Sequence, residues 1–229
     1  MGKNKIRRFE ENLGFDHVVQ PTFEELSRQE LKYSGKWNEE FFKREAPLIL
    51  ELGCGRGEYT IGLAQLMPDR NFIGVDIKGA RIWRGAKNAI ELGLKNVGFL
   101  RTHIDHITRC FGEGEVDEIW LTFSDPQIGK ARKRLTSPLF LERYRQIMKP
   151  GGIINLKTDS PLLYEYTLEQ IAEQELPLHE KSADVYADLI HRLPENERSI
   201  MNIRTYYESM WLEEGRAIHY VRFGIRSEK

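Results

Sequence analysis

The sequence predicts an α/β fold built around a mostly parallel sheet. From Pro47 onward, apolar runs of strand length alternate with intervals of helix length, which is typical of βαβ units. Residues that end helices close the helical intervals at Pro68, Gly93 and Pro150. The chain has 229 residues, of which 40% are hydrophobic and 30% charged, so it is long enough to bury a core without metal or disulfide support.

The predicted strands are the apolar runs themselves, and a predicted helix follows most of them. The first five strands are residues 48–52, 72–76, 97–100, 118–123 and 153–156. The helices are residues 57–66, 79–92, 138–148, 162–172 and 205–214. Two late strands, 178–186 and 217–225, have no further long crossover helix. We therefore expect an antiparallel finish at the C-terminal edge of the sheet.

The first 46 residues differ in composition from the rest of the chain. They are polar, with scattered aromatic side chains, and predict an N-terminal extension with one or two short helices. The sequence therefore predicts two regions, an extension over residues 1–46 and a single α/β domain over residues 47–229.

The charge of the chain is segregated along the sequence. The net charge is only −1, yet residues 130–149 hold seven basic and one acidic residue. Residues 78–101 hold six basic and one acidic residue, whereas residues 165–197 hold nine acidic and two basic ones. Because a local patch and not the net charge attracts phosphates, a nucleic-acid partner remains open. The competing interpretation of each run is a solvated helix face.

Several function classes are excluded or disfavoured. No apolar run approaches the roughly 20 residues that span a bilayer, and the N-terminal residues show no apolar signal segment. Two cysteines, Cys54 and Cys110, cannot form a disulfide framework or a four-cysteine zinc site. We expect a cytoplasmic protein with no metal and no contact with a membrane.

The strongest motif is the glycine-rich run Glu51–Gly57, Glu-Leu-Gly-Cys-Gly-Arg-Gly, which follows the first strand and opens the first helix. Glycines allow a tight turn and a close approach of a ligand to the backbone. A carboxylate at Glu51 would repel pyrophosphate but suits a cation. S-adenosylmethionine carries a sulfonium and an ammonium and has no phosphate. Asp76 ends the second strand, where an acid can accept from both ribose hydroxyls, and Asp105 follows the third, where it can accept from the adenine amino group. Helix capping is the competing interpretation of these two acids.

With these residues the chain resembles the class I methyltransferases over residues 48–225. The resemblance implies a Rossmann-like fold with a seven-stranded, mostly parallel sheet that binds S-adenosylmethionine at the carboxyl ends of its strands. It implies that the tip of the fourth strand faces the methyl group. The residues it assigns to the cofactor are Glu51, Gly53, Gly55, Gly57, Asp76, Asp105 and Asp125.

Four further segments contain acidic, basic and hydroxyl side chains of the kind that could contact a substrate. The fourth strand is followed by Ser124-Asp125-Pro126 and then by a basic cluster, which suits a substrate with a base to hold and phosphates to neutralise. Thr158-Asp159 follows the fifth strand, and Thr205 and Glu208 lie near the C-terminus. The basic cluster comprises Lys130, Arg132, Lys133 and Arg134.

Together these segments resemble the tRNA (guanine-N7-)-methyltransferases of the TrmB type. The resemblance implies methyl transfer to N7 of a variable-loop guanine, position 46 of the tRNA, with Asp125 as the catalytic residue. It implies substrate contacts for Asp159, Thr205 and Glu208. The loop after Pro126 is shorter than in the family, and we assign the family's substrate lysine to Lys130 because that role requires a cation.

The chemistry agrees with this resemblance. Guanine N7 has an in-plane lone pair and no proton, so its attack on a methyl group needs alignment and not a general base. A carboxylate such as Asp125 can stabilise the positive charge that develops. Asp125, Asp159 or Glu208 can also accept from guanine N1–H and the 2-amino group, which adenine lacks. We expect Arg132, Lys133 and Arg134 to contact tRNA phosphates.

Two alternative functions stay open at this point. One is an S-adenosylmethionine-dependent methyltransferase with another substrate, such as a small molecule. The other is a non-catalytic tRNA-binding subunit. The basic cluster argues against the first, and the retained acids Glu51, Asp76 and Asp125 argue against the second. The expected partner is tRNA, and nothing in the sequence requires a protein partner.

Overall fold

The computed structural model describes residues 3–226, with side chains described from residue 6 onward. These residues form two compact units, of which the first ends at Gly112 and the second begins at Glu113. The division falls inside the region 47–229 that the sequence predicts as one domain. The predicted boundary after residue 46 stays a prediction.

The first unit combines four strands with helices of the α/β type. The strands are β1 (Val18–Val19), β2 (Leu48–Leu52), β3 (Asn71–Asp76) and β4 (Val97–Arg101). The α-helices are α1 (Lys3–Leu13), α2 (Phe23–Arg28), α3 (Glu58–Leu66), α4 (Gly79–Glu91) and α5 (Ile107–Cys110). A π-helical turn covers Trp37–Phe42, and a 3₁₀ turn covers Ile104–His106.

The sheet of the first unit is parallel throughout, in the order β1-β4-β3-β2. Every residue of β2 and β3 is buried, as expected for strands of a parallel sheet covered on both faces. In the register of β2 with β3, Glu51 lies beside Gly74 and Leu52 beside Val75. The two strands therefore end at the same edge, which places the glycine-rich turn next to the turn that follows Asp76.

The second unit contains the remaining four strands. They are β5 (Val116–Thr122), β6 (Met148–Thr158), β7 (Leu178–Ser182) and β8 (His219–Gly224). Its α-helices are α6 (Pro138–Ile147), α7 (Pro161–Glu173), α8 (Ile190–Arg192), α9 (Glu195–Met201) and α10 (Tyr206–Glu213). A 3₁₀ turn covers Ala131–Lys133, and a π-helical turn covers Val185–Leu189.

The order of strands in the second unit is β5-β6-β8-β7. The β5–β6 pair is parallel, whereas β6–β8 and β7–β8 are antiparallel. The mostly parallel α/β fold with an antiparallel C-terminal edge is thus confirmed.

Three details of the strand prediction are wrong. The described residues hold eight strands and not seven, because Val18–Val19 in the predicted extension pairs with β4. β6 is longer than the predicted strand 153–156, because it begins at Met148 and ends at Thr158. Its pairing with β5 is irregular between Met148 and Ile153. β7 ends at Ser182 and not at residue 186 as predicted. The reason is that the Asp184 side chain accepts from the backbone N–H groups of Tyr186 and Ala187 and starts the π-helical turn.

Two further findings concern the helices and the cysteines. Within residues 3–226, no helix is long and apolar enough to cross a membrane. Cys54 and Cys110 are both buried and form no disulfide.

A tight packing site at Gly57 generates a stability prediction. Gly57 has φ +71°, and a Cβ atom there would lie 2.7 Å from the Phe99 ring and 3.2 Å from the Gly85 Cα. Gly57→Ala adds backbone strain to a steric clash and is expected to lower the free energy of unfolding by about 3 kcal/mol. Gly93 is the matched control, because it has φ +66° and open space around a built Cβ. Gly93→Ala is expected to cost only about 1 kcal/mol. Equal losses in urea denaturation would contradict the packing argument.

Candidate functional site

The glycine-rich turn after β2 is built on left-handed backbone. Gly53, Gly55 and Gly57 have φ values of +85°, +56° and +71°. The N–H groups of Gly53 and Cys54 both donate to the Val75 carbonyl, at 2.8 and 3.0 Å. A Cβ built on Gly53 or Gly55 would meet nothing within 4 Å, so their backbone borders open space. The turn therefore offers an accessible backbone surface to a ligand.

Asp76 ties this turn to the one that follows β3. The side chain is 8% exposed, and its Oδ2 accepts from the Gly55 N–H at 2.9 Å. Its Oδ1 accepts from the Lys78 N–H at 2.7 Å. The N-cap of α4 is Lys78, so Asp76 does not cap that helix. Each carboxylate oxygen has a second lone pair, which leaves Asp76 able to accept from a ligand hydroxyl.

Glu51 is a buried carboxylate that holds the start of α3. It is 3% exposed, and its Oε2 accepts from the Thr60 N–H at 2.7 Å and from the Thr60 hydroxyl. Thr60 lies in the first turn of α3, where backbone N–H groups lack helical partners and favour a negative charge. Burial, together with the negative charges of Glu51 and Asp76, raises the pKa of the Cys54 thiol well above its usual value. Cys54 is therefore a protonated, small core residue and not a nucleophile.

The third predicted cofactor acid lies at the surface. Asp105 is exposed on the 3₁₀ turn that follows β4. Ile77, which the sequence patterns did not single out as a site residue, follows Asp76 directly and is an apolar side chain that is 39% exposed. Among the residues that the structure describes, no group of three or more His, Cys, Asp or Glu side chains could hold a metal ion.

The Asp125 turn in the second unit has unusual backbone on both sides. Phe123 and Gln127 have φ values of +52° and +50°, a region that side-chain-bearing residues rarely adopt. The exposed Asp125 carboxylate accepts from the Gln127 N–H at 2.8 Å through Oδ1. The Phe123 N–H donates to the Lys157 carbonyl at 2.8 Å. These bonds fix the turn and leave the Asp125 carboxylate at the surface.

The four residues of the basic cluster divide into two groups. Lys130, Arg132 and Lys133 are exposed, the last two on the 3₁₀ turn Ala131–Lys133. Arg134 is only 7% exposed, and its Nε donates to the Pro126 carbonyl at 2.9 Å. Its guanidinium carbon lies 4.3 Å from the centre of the Tyr166 ring. Arg134 therefore stabilises the Asp125 turn through its bond to Pro126. Little of its side chain is exposed for the predicted contact with a phosphate.

Asp159 is paired with a cation. The Arg216 Nη1 lies 3.5 Å from its Oδ2, and the Asp159 side chain is 19% exposed. Burial raises the pKa of the Asp159 carboxyl, an effect that Arg216 opposes. The Asp159 side chain is thus partly exposed, and the Arg216 side chain that pairs with it is 51% exposed.

Thr205 and Glu208 are brought together as a helix cap. The Thr205 hydroxyl accepts from the Glu208 N–H at 3.1 Å, and Glu208 Oε2 accepts from the Thr205 N–H at 3.3 Å. Glu208 is fully buried, and its Oε1 lies 2.7 Å from the Lys157 Nζ. The Tyr186 hydroxyl donates to the same oxygen at 2.8 Å. The sequence predicts a substrate contact for Glu208, but the structure leaves it no exposed surface from which to make one.

Aromatic rings extend from the Asp125 turn along α10, and sequence reasoning missed them. The Phe123 and Trp211 rings lie 5.1 Å apart, and the Tyr207 ring stacks on Trp211 at 5.9 Å. Tyr206 and Tyr207 are 51% and 46% exposed. The available signal was the i, i+4 spacing of Tyr207 and Trp211 in the predicted helix.

The contrast within the basic cluster gives a testable difference. Arg134→Ala removes a charged hydrogen bond and a cation–π contact and leaves the Pro126 carbonyl without its donor. We expect it to lower the free energy of unfolding by about 2–3 kcal/mol. Arg132→Ala, the matched exposed control, is expected to change it by less than about 0.5 kcal/mol. Similar values for the two variants in denaturant melts would show that Arg134 does not brace the turn.

The chain has clear relatives among known proteins. Residues 45–221 match the family described as "Putative methyltransferase". The chain is 49% identical over 229 residues to the tRNA (guanine-N(7)-)-methyltransferase of Bacteroides fragilis, covering 100% of this chain and 88% of that protein. It is 51% identical over 213 residues to the protein of that name from Porphyromonas gingivalis, covering 92% and 85%.

Solved structures agree on the fold. The 16S rRNA methyltransferase KamB superposes with a TM-score of 0.62 at 16% identity, over 82% of this chain and 92% of that one. A SAM-dependent methyltransferase from Aquifex aeolicus superposes with a TM-score of 0.55 at 16% identity, over 80% and 84%. At this identity the likeness shows the methyltransferase fold alone, whereas the full-length relatives show more: the chain belongs to the tRNA (guanine-N7-)-methyltransferase family.

Proposed function

We propose that this protein transfers a methyl group from S-adenosylmethionine to N7 of a guanine in tRNA, the variable-loop guanine at position 46. The observation that carries the proposal is the 49% identity, over the whole chain, to a tRNA (guanine-N(7)-)-methyltransferase. The geometry of each unit supports it, because the first offers a cofactor cradle and the second an exposed carboxylate beside exposed cations.

The residues of the first unit fit S-adenosylmethionine, which when bound supplies a methyl group activated by a sulfonium. The open backbone at Gly53 and Gly55 admits a ligand, and Gly57 fixes the start of α3 behind it. Glu51 and Asp76 supply negative charge, which suits an ammonium and ribose hydroxyls and repels phosphates. Asp105 is the acceptor for the adenine amino group, and the exposed Ile77 offers it an apolar surface.

Asp125 carries the catalytic role in this proposal. Guanine N7 has no proton to lose, so the residues have to align the base and stabilise the charge that N7 acquires. Asp125 presents an exposed carboxylate whose orientation is fixed by the Gln127 N–H. A fixed carboxylate stabilises a developing cation better than a mobile one because it needs no reorganisation.

Selection of guanine falls to Asp159, because Asp125 is assigned to the N7 edge of the base. Asp159 can exchange its Arg216 partner for guanine N1–H and the 2-amino group. Adenine presents a lone pair at N1 and no 2-amino group, so this carboxylate disfavours it. Thr205, which is partly exposed, keeps its predicted substrate contact in this proposal, and the buried Glu208 acts through the cap that it forms with Thr205 at the start of α10.

The tRNA backbone is held by the exposed cations Lys130, Arg132 and Lys133. Lys130 takes the role of the family's substrate lysine because it stands nearest in sequence to Asp125. Arg134 acts indirectly, through its bond to Pro126.

We place the protein in the cytoplasm, where tRNA is available and the buried thiols of Cys54 and Cys110 stay reduced.

One assay separates this function from its two alternatives. Purified protein is incubated with methyl-labelled S-adenosylmethionine and either tRNA or free guanosine. We expect label in tRNA and none in guanosine. Turnover of guanosine alone would indicate a small-molecule methyltransferase, and tRNA binding without cofactor binding in calorimetry would indicate a non-catalytic subunit.

Replacing Asp125 separates chemistry from binding. Asp125→Asn keeps an oxygen that can accept from the Gln127 N–H but removes the charge. We expect the single-turnover rate of methyl transfer to fall about 10²- to 10³-fold, much more than the affinity for S-adenosylmethionine changes. Asp117→Asn is the control, because Asp117 lies at the opposite end of β5 and pairs with Lys149. A wild-type rate for Asp125→Asn with saturating tRNA would remove its catalytic assignment.

The exposed cations are tested by the salt dependence of tRNA binding. Each phosphate contact contributes a slope of roughly 0.7–0.9 in log K against log salt. Arg132→Ala with Lys133→Ala is expected to weaken binding of all tRNAs similarly and to reduce the slope by between about 1 and 2. Lys181→Ala, an exposed cation on β7, is the matched control and is expected to leave the slope unchanged. An unaltered slope in the double variant would show that these cations form only a solvated face.

A further inference from the structure

Lys157 is a lysine whose charge is entirely inside the protein. It lies near the end of β6, and its side chain has no exposed surface. Removing an ammonium from water is costly unless every N–H finds an acceptor. Its Nζ lies 2.7 Å from Glu208 Oε1 and donates to the carbonyls of Met201 and Ile203 at 2.8 and 3.2 Å. These three acceptors match the three donors of an ammonium group.

These contacts hold the chain on the approach to α10. Met201 ends α9, and Ile203 lies two residues before Thr205, the N-cap of α10. Glu208, the ion-pair partner, lies in the first turn of α10 and closes the capping box with Thr205. The ammonium therefore fixes both the segment that leads into α10 and the first turn of the helix.

The backbone of Lys157 holds a second segment. Its carbonyl accepts from the Phe123 N–H at 2.8 Å, at the point where the chain leaves β5 for Ser124-Asp125-Pro126. Phe123 adopts a left-handed conformation there, with φ +52°, which persists only where its surroundings hold it. Thr158 and Asp159 follow Lys157 directly. One residue thus contacts, or is covalently joined to, all three segments that carry the proposed substrate residues.

We propose that Lys157 is a positioning residue for methyl transfer, which sets the Asp125 turn, Asp159 and the start of α10 in one arrangement through its carbonyl and its paired ammonium. The proposal rests on the proposed function. A charge is the unexpected choice for this position, because well-packed apolar side chains in place of a buried ion pair are often as stable or more stable. A methionine would fill the space but would remove the ammonium, which donates to the Met201 and Ile203 carbonyls and neutralises the Glu208 carboxylate.

The test compares stability with rate in the full-length protein. Lys157→Met leaves a buried, unpaired Glu208 and is expected to be less stable and slow. Lys157→Met with Glu208→Gln removes both charges, while the glutamine oxygen can still accept from the Thr205 N–H and its amide N–H can donate to the Tyr186 hydroxyl oxygen. We expect the double variant to recover much of the stability lost in Lys157→Met. Its single-turnover methylation rate, at saturating tRNA and S-adenosylmethionine, is expected to stay 10- to 100-fold below wild type.

Binding measurements and a matched control complete the test. The affinities for S-adenosylmethionine and tRNA are expected to stay within threefold of wild type, because the cofactor cradle and the exposed cations are unchanged. Lys149→Met, which breaks the exposed pair with Asp117, is expected to keep the wild-type rate. A double variant that recovers stability and methylates at the wild-type rate would overturn the positioning role alone. Failure of the wild-type chain to methylate tRNA would overturn the proposed function and this role with it.

Discussion

Charged side chains remain inside this protein at the ends of its strands, and each does so because backbone groups or an opposite charge satisfy it. Glu51 accepts from the first turn of α3, and Asp76 accepts from the N–H groups of Gly55 and Lys78. In the second unit, Lys157 donates to Glu208 and to two carbonyls. An unpaired charge at any of these positions would cost several kcal/mol. These bonds thereby fix the turns that carry the residues proposed to bind cofactor and substrate.

Buried and exposed charges consequently have different tasks. The buried ones bond to the backbone of the turns, whereas the exposed ones, such as Asp125 and Lys130, are the ones proposed to contact substrate. Arg134 and Glu208 belong to the first group, although their motifs resemble substrate-binding motifs. Such a division suits a reaction that needs alignment and charge stabilisation but no proton transfer. A precise alignment requires rigid support, and buried charge networks with every donor and acceptor used provide it.

The sequence predicted the parts of this protein that depend on local pattern. Alternating apolar runs predicted β2 to β6, and the glycines predicted a tight turn at residues 53–57, whose left-handed backbone the structure shows. The burial of Glu208 was not predictable, because it depends on Lys157 and Tyr186, which lie far away along the chain. Arg134 reads as one more cation in a basic run until the structure places it under Pro126. The two-residue strand β1 is too short to produce a pattern, and only its pairing with β4 reveals it.

The position of the methyl group on the tRNA tests the central claim most directly. N7-methylguanosine is the modification that borohydride reduction followed by aniline treatment converts to a strand break. We predict that tRNA lacking the modification, incubated with the wild-type protein and S-adenosylmethionine, breaks at a single variable-loop guanine, position 46. Methyl label incorporated without any such break, or breaks at many guanines, would contradict the account.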